Sequence, residues 1–151
     1  MYSFRKSKKG FTLIELMVVV AIIGVLALLG LRLYTGQQEK AKNAIVKANA
    51  GTIQTLIQAN LADETVSAVW DDVATASTGL ISRSGIHNPF TGAPQTDNDA
   101  VGTTAGAVYV VAYDAYNNVA TDDTISYFVI NGNNGAATIG PVFATPLTAR
   151  K

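Results

Sequence analysis

The sequence predicts an α+β fold: one long N-terminal helix, apolar in its first half and amphipathic in its second, packed against a C-terminal head built on an antiparallel β-sheet. Three observations predict it. Residues 11–31 are an apolar run, helical periodicity continues from there to about residue 62, and segments rich in β-branched and aromatic residues follow residue 107. The chain accordingly divides into a basic segment (1–10), an apolar helix (11–31), its amphipathic continuation (32–62) and a head (63–151). Within the head, loops and a short helix occupy 63–106 and the sheet occupies 107–151.

Charge and apolar character are segregated along the 151 residues. Eleven Lys and Arg balance eleven Asp and Glu, and this neutrality argues against direct nucleic-acid binding. Four of the bases, Arg5, Lys6, Lys8 and Lys9, fall in the first ten residues; without that segment seven bases face eleven acids, a net charge of −4. The absence of cysteine excludes disulfides, thiolate metal sites and cysteine nucleophiles. His87, the single histidine, has no constellation of nucleophile or metal ligands around it, so it reads as a surface or turn residue and the chain as a non-enzyme without a cofactor.

In residues 11–31 only Thr12 and Glu15 are strongly polar. As a helix the run is about 30 Å long, the thickness of a bilayer's hydrocarbon core. It is apolar all round, so it crosses a membrane or is buried on every side. The basic segment before it places the N-terminus in the cytoplasm. A secretory signal peptide fits less well, because the run exceeds an apolar h-region of about 7–15 residues and no A-x-A-like cleavage site follows.

Glu15 needs a reason. A carboxylate in a membrane helix costs about 2.5–3.5 kcal/mol near the bilayer centre, less near the headgroups. Two readings stand: an interfacial acid that reaches the headgroups, or an acid awaiting a positive partner. Cleavage after Gly10 would create one such partner, the α-amino group of Phe11, at i, i+4. A neighbouring subunit would supply another.

The string KKG-FTLIELMVVVAIIGVLA resembles the class III leader and N-terminal helix of type IV pilins and of the pseudopilins of type II secretion and competence systems, over residues 6–29. The resemblance implies that a prepilin peptidase cuts between Gly10 and Phe11 and methylates Phe11. It implies that Glu15 pairs with the terminal amine of an adjacent subunit as a homopolymeric helical filament grows from an inner-membrane assembly platform. The precursor is then a single-pass inner-membrane protein with a cytoplasmic N-terminus, and the assembled subunit is extracellular. The implied function is a pilus subunit serving adhesion, twitching motility or DNA uptake; the alternative is a pseudopilin whose short fibre acts as a secretion piston. Arg32 stands where many pilins carry a proline. Gly24 and Gly30 are each about 1 kcal/mol worse than Ala in a helix, and they mark either a stretchable segment or close helix packing.

Beyond the span, Ile45, Val46, Ile53, Leu56 and Ile57 fall on one arc, with Lys40, Lys47, Gln54 and Gln58 opposite. Asn49 and Asn60 sit inside the apolar arc and require backbone partners or the edge of the packing. Residues 11 to about 62 together make a helix about 75 Å long, so the expected shape is a lollipop. Val66, Val69, Trp70 and Val73 predict a second helix ending near Gly79, and Asn88-Pro89-Phe90-Thr91-Gly92 predicts a tight turn. Val108 to Tyr113 and Thr124 to Ile130 predict strands. The next turn, Asn131 to Gly135, leads to a third strand running to about Phe143. Two acidic loops, Asp97-Asn98-Asp99 and Asp122-Asp123, read as solvated turns. Similarity to major pseudopilins raises calcium as the competing reading, although neither loop matches a complete calcium pattern.

Overall fold

A computed structural model of the chain describes residues 10–99, 103–120, 125–135 and 147–150. The chain divides into two compact units, Met1–Gln38 and Glu39–Lys151.

The regular structure of the first unit is the beginning of helix α1, Leu13–Asp63, which is helical through Gly24 and Gly30. Every side chain described in this unit is exposed, among them Phe11 (83%) and Leu13 (77%). The helix is long and apolar enough to cross a membrane.

The second unit is an α+β head. It holds the remainder of α1, helices α2 (Val66–Ala74) and α3 (Leu80–Arg83), and strands β1 (Val108–Tyr113), β2 (Tyr127–Gly132) and β3 (Leu147–Arg150). The strands form an antiparallel sheet in the order β1-β2-β3, with Val111 opposite Val129 and Phe128 opposite Ala149. Alternation sets which face is buried: Val108, Val110 and Ala112 of β1 and Phe128 and Ile130 of β2 point into the core.

The face that α1 gives to this core is Val46, Ala50, Ile53, Ile57 and Leu61, steps of three and four residues that keep one stripe inward. Two assignments from periodicity are corrected here. Ile45 is exposed (48%) and Leu56 only partly buried, because the stripe is centred on Ala50 and Leu61 as well. Gln54 and Gln58, expected on the far face, instead bond the backbone of β3. Asn49 finds the backbone partner it required, donating to the His87 carbonyl at 2.9 Å.

Thr65 caps α2, its hydroxyl accepting from the Ala68 N–H at 3.3 Å. That helix ends at Ala74, and Gly79 caps the separate α3. Trp70 of α2 stacks on Phe128 at 6.1 Å between ring centroids. The Asn88–Gly92 turn forms as expected, with Gly92 at φ +75° and its N–H donating to the Asn88 carbonyl at 2.8 Å. Asn131 and Gly132, expected in a turn, complete β2, and Asn133 extends the pairing through two backbone bonds with Gly106 and Ala107. The third described strand is Leu147–Arg150; the segment after Gly135 and up to Phe143, in which a third strand was expected, lies outside the described residues.

Candidate functional site

The first turn of α1 is built by two side chains. Thr12 precedes the helix, and its hydroxyl accepts from the Glu15 N–H at 3.3 Å. Glu15 Oε2 accepts in return from the Thr12 N–H and the Thr12 hydroxyl, both at 2.8 Å. This is a reciprocal capping box, in which Thr-x-x-Glu satisfies backbone donors that a helix start leaves unpaired. Both Thr12 donors converge on a single carboxylate oxygen. Thr12 was not singled out from the sequence, although T-x-x-E before an apolar run is a legible signature of a helix start.

Gly10 and Phe11 lie immediately before this box, and both are exposed. The structure thus brings Gly10, Phe11 and Glu15 into one short stretch at the head of an uncovered apolar helix. A side chain added at Gly24 or Gly30 would meet nothing within 4 Å, so these glycines accommodate no neighbour within the single chain.

The Asp97-Asn98-Asp99 loop is tied to its own surroundings. Asp99 accepts from the Thr103 N–H and hydroxyl, from the Thr104 N–H at 2.7 Å and from the Asn133 amide at 3.1 Å. Its carboxylate therefore ties the approach to β1 to the end of β2. The Asp97 carbonyl accepts from the Gln95 amide at 2.9 Å. Asp122 and Asp123 lie outside the described residues. Among the described residues no group of three or more His, Asp or Glu side chains is placed to hold a metal ion. His87 is exposed, with Nδ1 3.0 Å from the Gly85 carbonyl.

These features define a class: a capped, apolar N-terminal helix preceded by Gly10 and Phe11, followed by a small α+β head. Residues 5–31 match the prokaryotic N-terminal methylation motif. The chain is 30% identical over 134 residues to a type IV major fimbrial protein FimA of Dichelobacter nodosus, covering 89% of this chain and 78% of that protein. It is 31% identical over 134 residues to a probable minor fimbrial protein of the same organism, covering 89% and 76%. Similarity to the fimbrial protein EcpB of Eikenella corrodens is higher, 47%, but confined to 55 residues, 36% of this chain and 35% of that protein. The matched stretch thus spans about a third of EcpB's length. No solved structure matches the chain at a significant level. The long alignments place the chain in the type IV fimbrial protein, or type IV pilin, family.

Proposed function

We propose that this chain is a structural subunit that polymerises through its N-terminal helix into a type IV pilus after cleavage between Gly10 and Phe11. The observation that carries this reading is the first unit's helix, apolar on all sides and covered on none, with Glu15 as its only acid before residue 39. Such a surface must be taken up by lipid or by other helices. Lipid is the environment of the precursor, and neighbouring helices that of the assembled subunit.

Removal of the basic leader supports the transfer between the two. Its four positive charges hold the N-terminus on the cytoplasmic side of the inner membrane. Once a prepilin peptidase removes them and methylates Phe11, one terminal ammonium remains. Paired with Glu15 of a neighbouring subunit in the filament core, that ammonium offsets a desolvation penalty which either charge would suffer alone. Glu15 Oε2 already takes the Thr12 donors, so Oε1 is the oxygen open to the ammonium. An inner-membrane assembly platform extracts the subunit, and the head emerges into an extracellular filament serving adhesion, motility or DNA uptake. Gly24 and Gly30 make residues 24–30 the stretch of the helix that yields most readily under filament tension. The relatives' names as fimbrial proteins favour a pilus over a secretion pseudopilin, and a structural role over an enzymatic one.

The test is the mass of the N-terminal peptide of surface-sheared protein together with electron microscopy of a Glu15→Ala strain. The expected results are a peptide beginning at a methylated Phe11, and loss of filaments with the variant still inserted in the membrane. An intact Met1 in filaments, or normal filaments from Glu15→Ala, overturns the proposal.

A further inference from the structure

A three-stranded sheet has two free edges, each a row of backbone N–H and C=O groups that invites another strand. In this head both edges are occupied by side-chain amides. On β1, the Val108 N–H donates to Gln95 Oε1 at 2.8 Å and the Val108 carbonyl accepts from Gln95 Nε2. Two residues on, the Val110 N–H donates to Asn98 Oδ1 and the Val110 carbonyl accepts from Asn98 Nδ2, both at 2.8 Å. The next outward carbonyl, Ala112, accepts from the Ala120 N–H at 3.0 Å. On β3, Gln58 donates to the Arg150 carbonyl at 2.8 Å and accepts from the Arg150 N–H at 3.3 Å, while Gln54 donates to the Thr148 carbonyl at 2.9 Å.

A primary carboxamide carries the same donor and acceptor as a peptide group, so each two-point contact copies one rung of a β-ladder. Spacing permits the copy. Gln54 and Gln58 are one helical turn apart, about 6 Å along α1, and Thr148 and Arg150 are two strand residues apart, about 6.6 Å along β3. On the other edge Gln95 is held by its own N–H, which donates to the Ile86 carbonyl at 3.0 Å, beside the His87–Pro94 bridge.

We propose that Gln95 and Asn98 on one edge, and Gln54 and Gln58 on the other, serve as surrogate strands that close the head's sheet against strand addition by a second copy of this chain. Subunits crowded together then associate through their helices and not edge to edge. The inference concerns the head alone and stands whether or not the chain forms a pilus.

The test uses the full chain in detergent micelles, comparing wild type with Gln95→Met/Asn98→Leu, a change of similar side-chain size that removes the four side-chain bonds to Val108 and Val110. Amide hydrogen exchange at Val108 and Val110 is expected to accelerate at least tenfold, with Val111 and Val129, paired within the sheet, unchanged. Sedimentation is expected to show the variant dimerising at concentrations where wild type is monomeric. Unchanged exchange at Val108 and Val110, or a variant that stays monomeric, overturns the proposal. Should exchange at Val111 and Val129 also rise, marking unfolding, the uncharged single variant Asn98→Leu decides, because it frees only the Val110 rung. Faster exchange at Val110 together with association supports the closure, and unchanged exchange at Val110 or a persistent monomer refutes it.

Discussion

Thr12 and Glu15 bond each other in both directions across the first turn of α1, the Thr12 N–H donating to Glu15 Oε2 at 2.8 Å and the Glu15 N–H donating to the Thr12 hydroxyl at 3.3 Å. The same carboxylate thus has two separable tasks, capping the helix start and carrying charge. Thr12→Val is expected to loosen the first turn by about 1 kcal/mol, a factor of about five in its frayed population, while Thr12→Ser keeps the cap. Glu15→Gln keeps a residue that serves in capping boxes but removes the charge, so it should retain the helix start and still fail to enter filaments. Amide exchange at Thr12 and Glu15 in micelles measures the first effect, and microscopy of sheared fibres the second. Filaments from Glu15→Gln would show that capping alone is the residue's contribution.

Gly106, just before β1, makes a close approach to the Asn88 turn. It has φ +81°, and a β-carbon there would lie 2.4 Å from Asn88 Oδ1 and 2.5 Å from Phe90 Cδ2. Asn88 is buried and fully engaged, its amide donating to the Ala105 carbonyl at 2.8 Å and its oxygen accepting from the Phe90 N–H at 2.8 Å. Gly106→Ala combines left-handed strain with displacement of that knot, and a loss of about 2 kcal/mol or more is expected. Trp70, the only tryptophan, stacks on Phe128 in the same head. Its fluorescence on heating reports the lowered midpoint; an unchanged midpoint would mean the Asn88 turn yields freely.

Asp114 shapes the loop after β1. Its carboxylate accepts from the Asn118 N–H and from the Tyr116 N–H, each at 2.8 Å, and from the Asn118 amide at 3.2 Å. Bonding to the Asn118 backbone, foremost, holds its pKa below the ordinary aspartate value. A lowered folded-state pKa gives stability that is present above the unfolded value and lost as pH falls through the folded one. The loop should therefore hold at neutral pH and loosen below about pH 4. An NMR titration should place the Asp114 midpoint below that of a free aspartate, and Asp114→Asn should remove the acid-dependent exchange of the Tyr116 and Asn118 amides.

The candidate site was more legible in the sequence than the head that follows it. Gly10, Phe11 and Glu15 are contiguous, and a single acid in an apolar run announces itself through its solvation cost. Strand β1 and helix α2 were readable because their buried residues repeat at regular spacing. What periodicity cannot carry is a polar side chain's choice of partner. Gln54 and Gln58 look like a solvent face until β3 arrives 92 to 94 residues later to bond them. Asn131-Gly132 has turn chemistry, yet tertiary pairing with β1 and burial of Asn131 draw it into a strand.

Glycine to alanine should act with opposite signs at two positions in the head. Gly51 lies within α1, and a β-carbon there meets nothing within 4 Å. Alanine then restricts the unfolded chain and suits the helix at no steric cost, so Gly51→Ala should stabilise by about 1 kcal/mol. Gly79 has an ordinary backbone, φ −72°, so conformational freedom is not what it supplies. Its β-carbon would lie 2.2 Å from the Asp72 carbonyl oxygen and 2.3 Å from that of Thr75. Both obstacles are backbone at the end of α2, and they cannot rotate aside as a side chain does. Making room means shifting α3 away from α2, which also strains the Arg83–Asp72 ion pair at 2.6 Å and unseats the buried Leu80 and Ile81. Gly79→Ala should therefore destabilise by more than Gly51→Ala stabilises, lowering the Trp70 unfolding midpoint by several degrees where Gly51→Ala raises it. A Gly79→Ala head as stable as wild type would mean that the α2–α3 junction relaxes without disturbing the core.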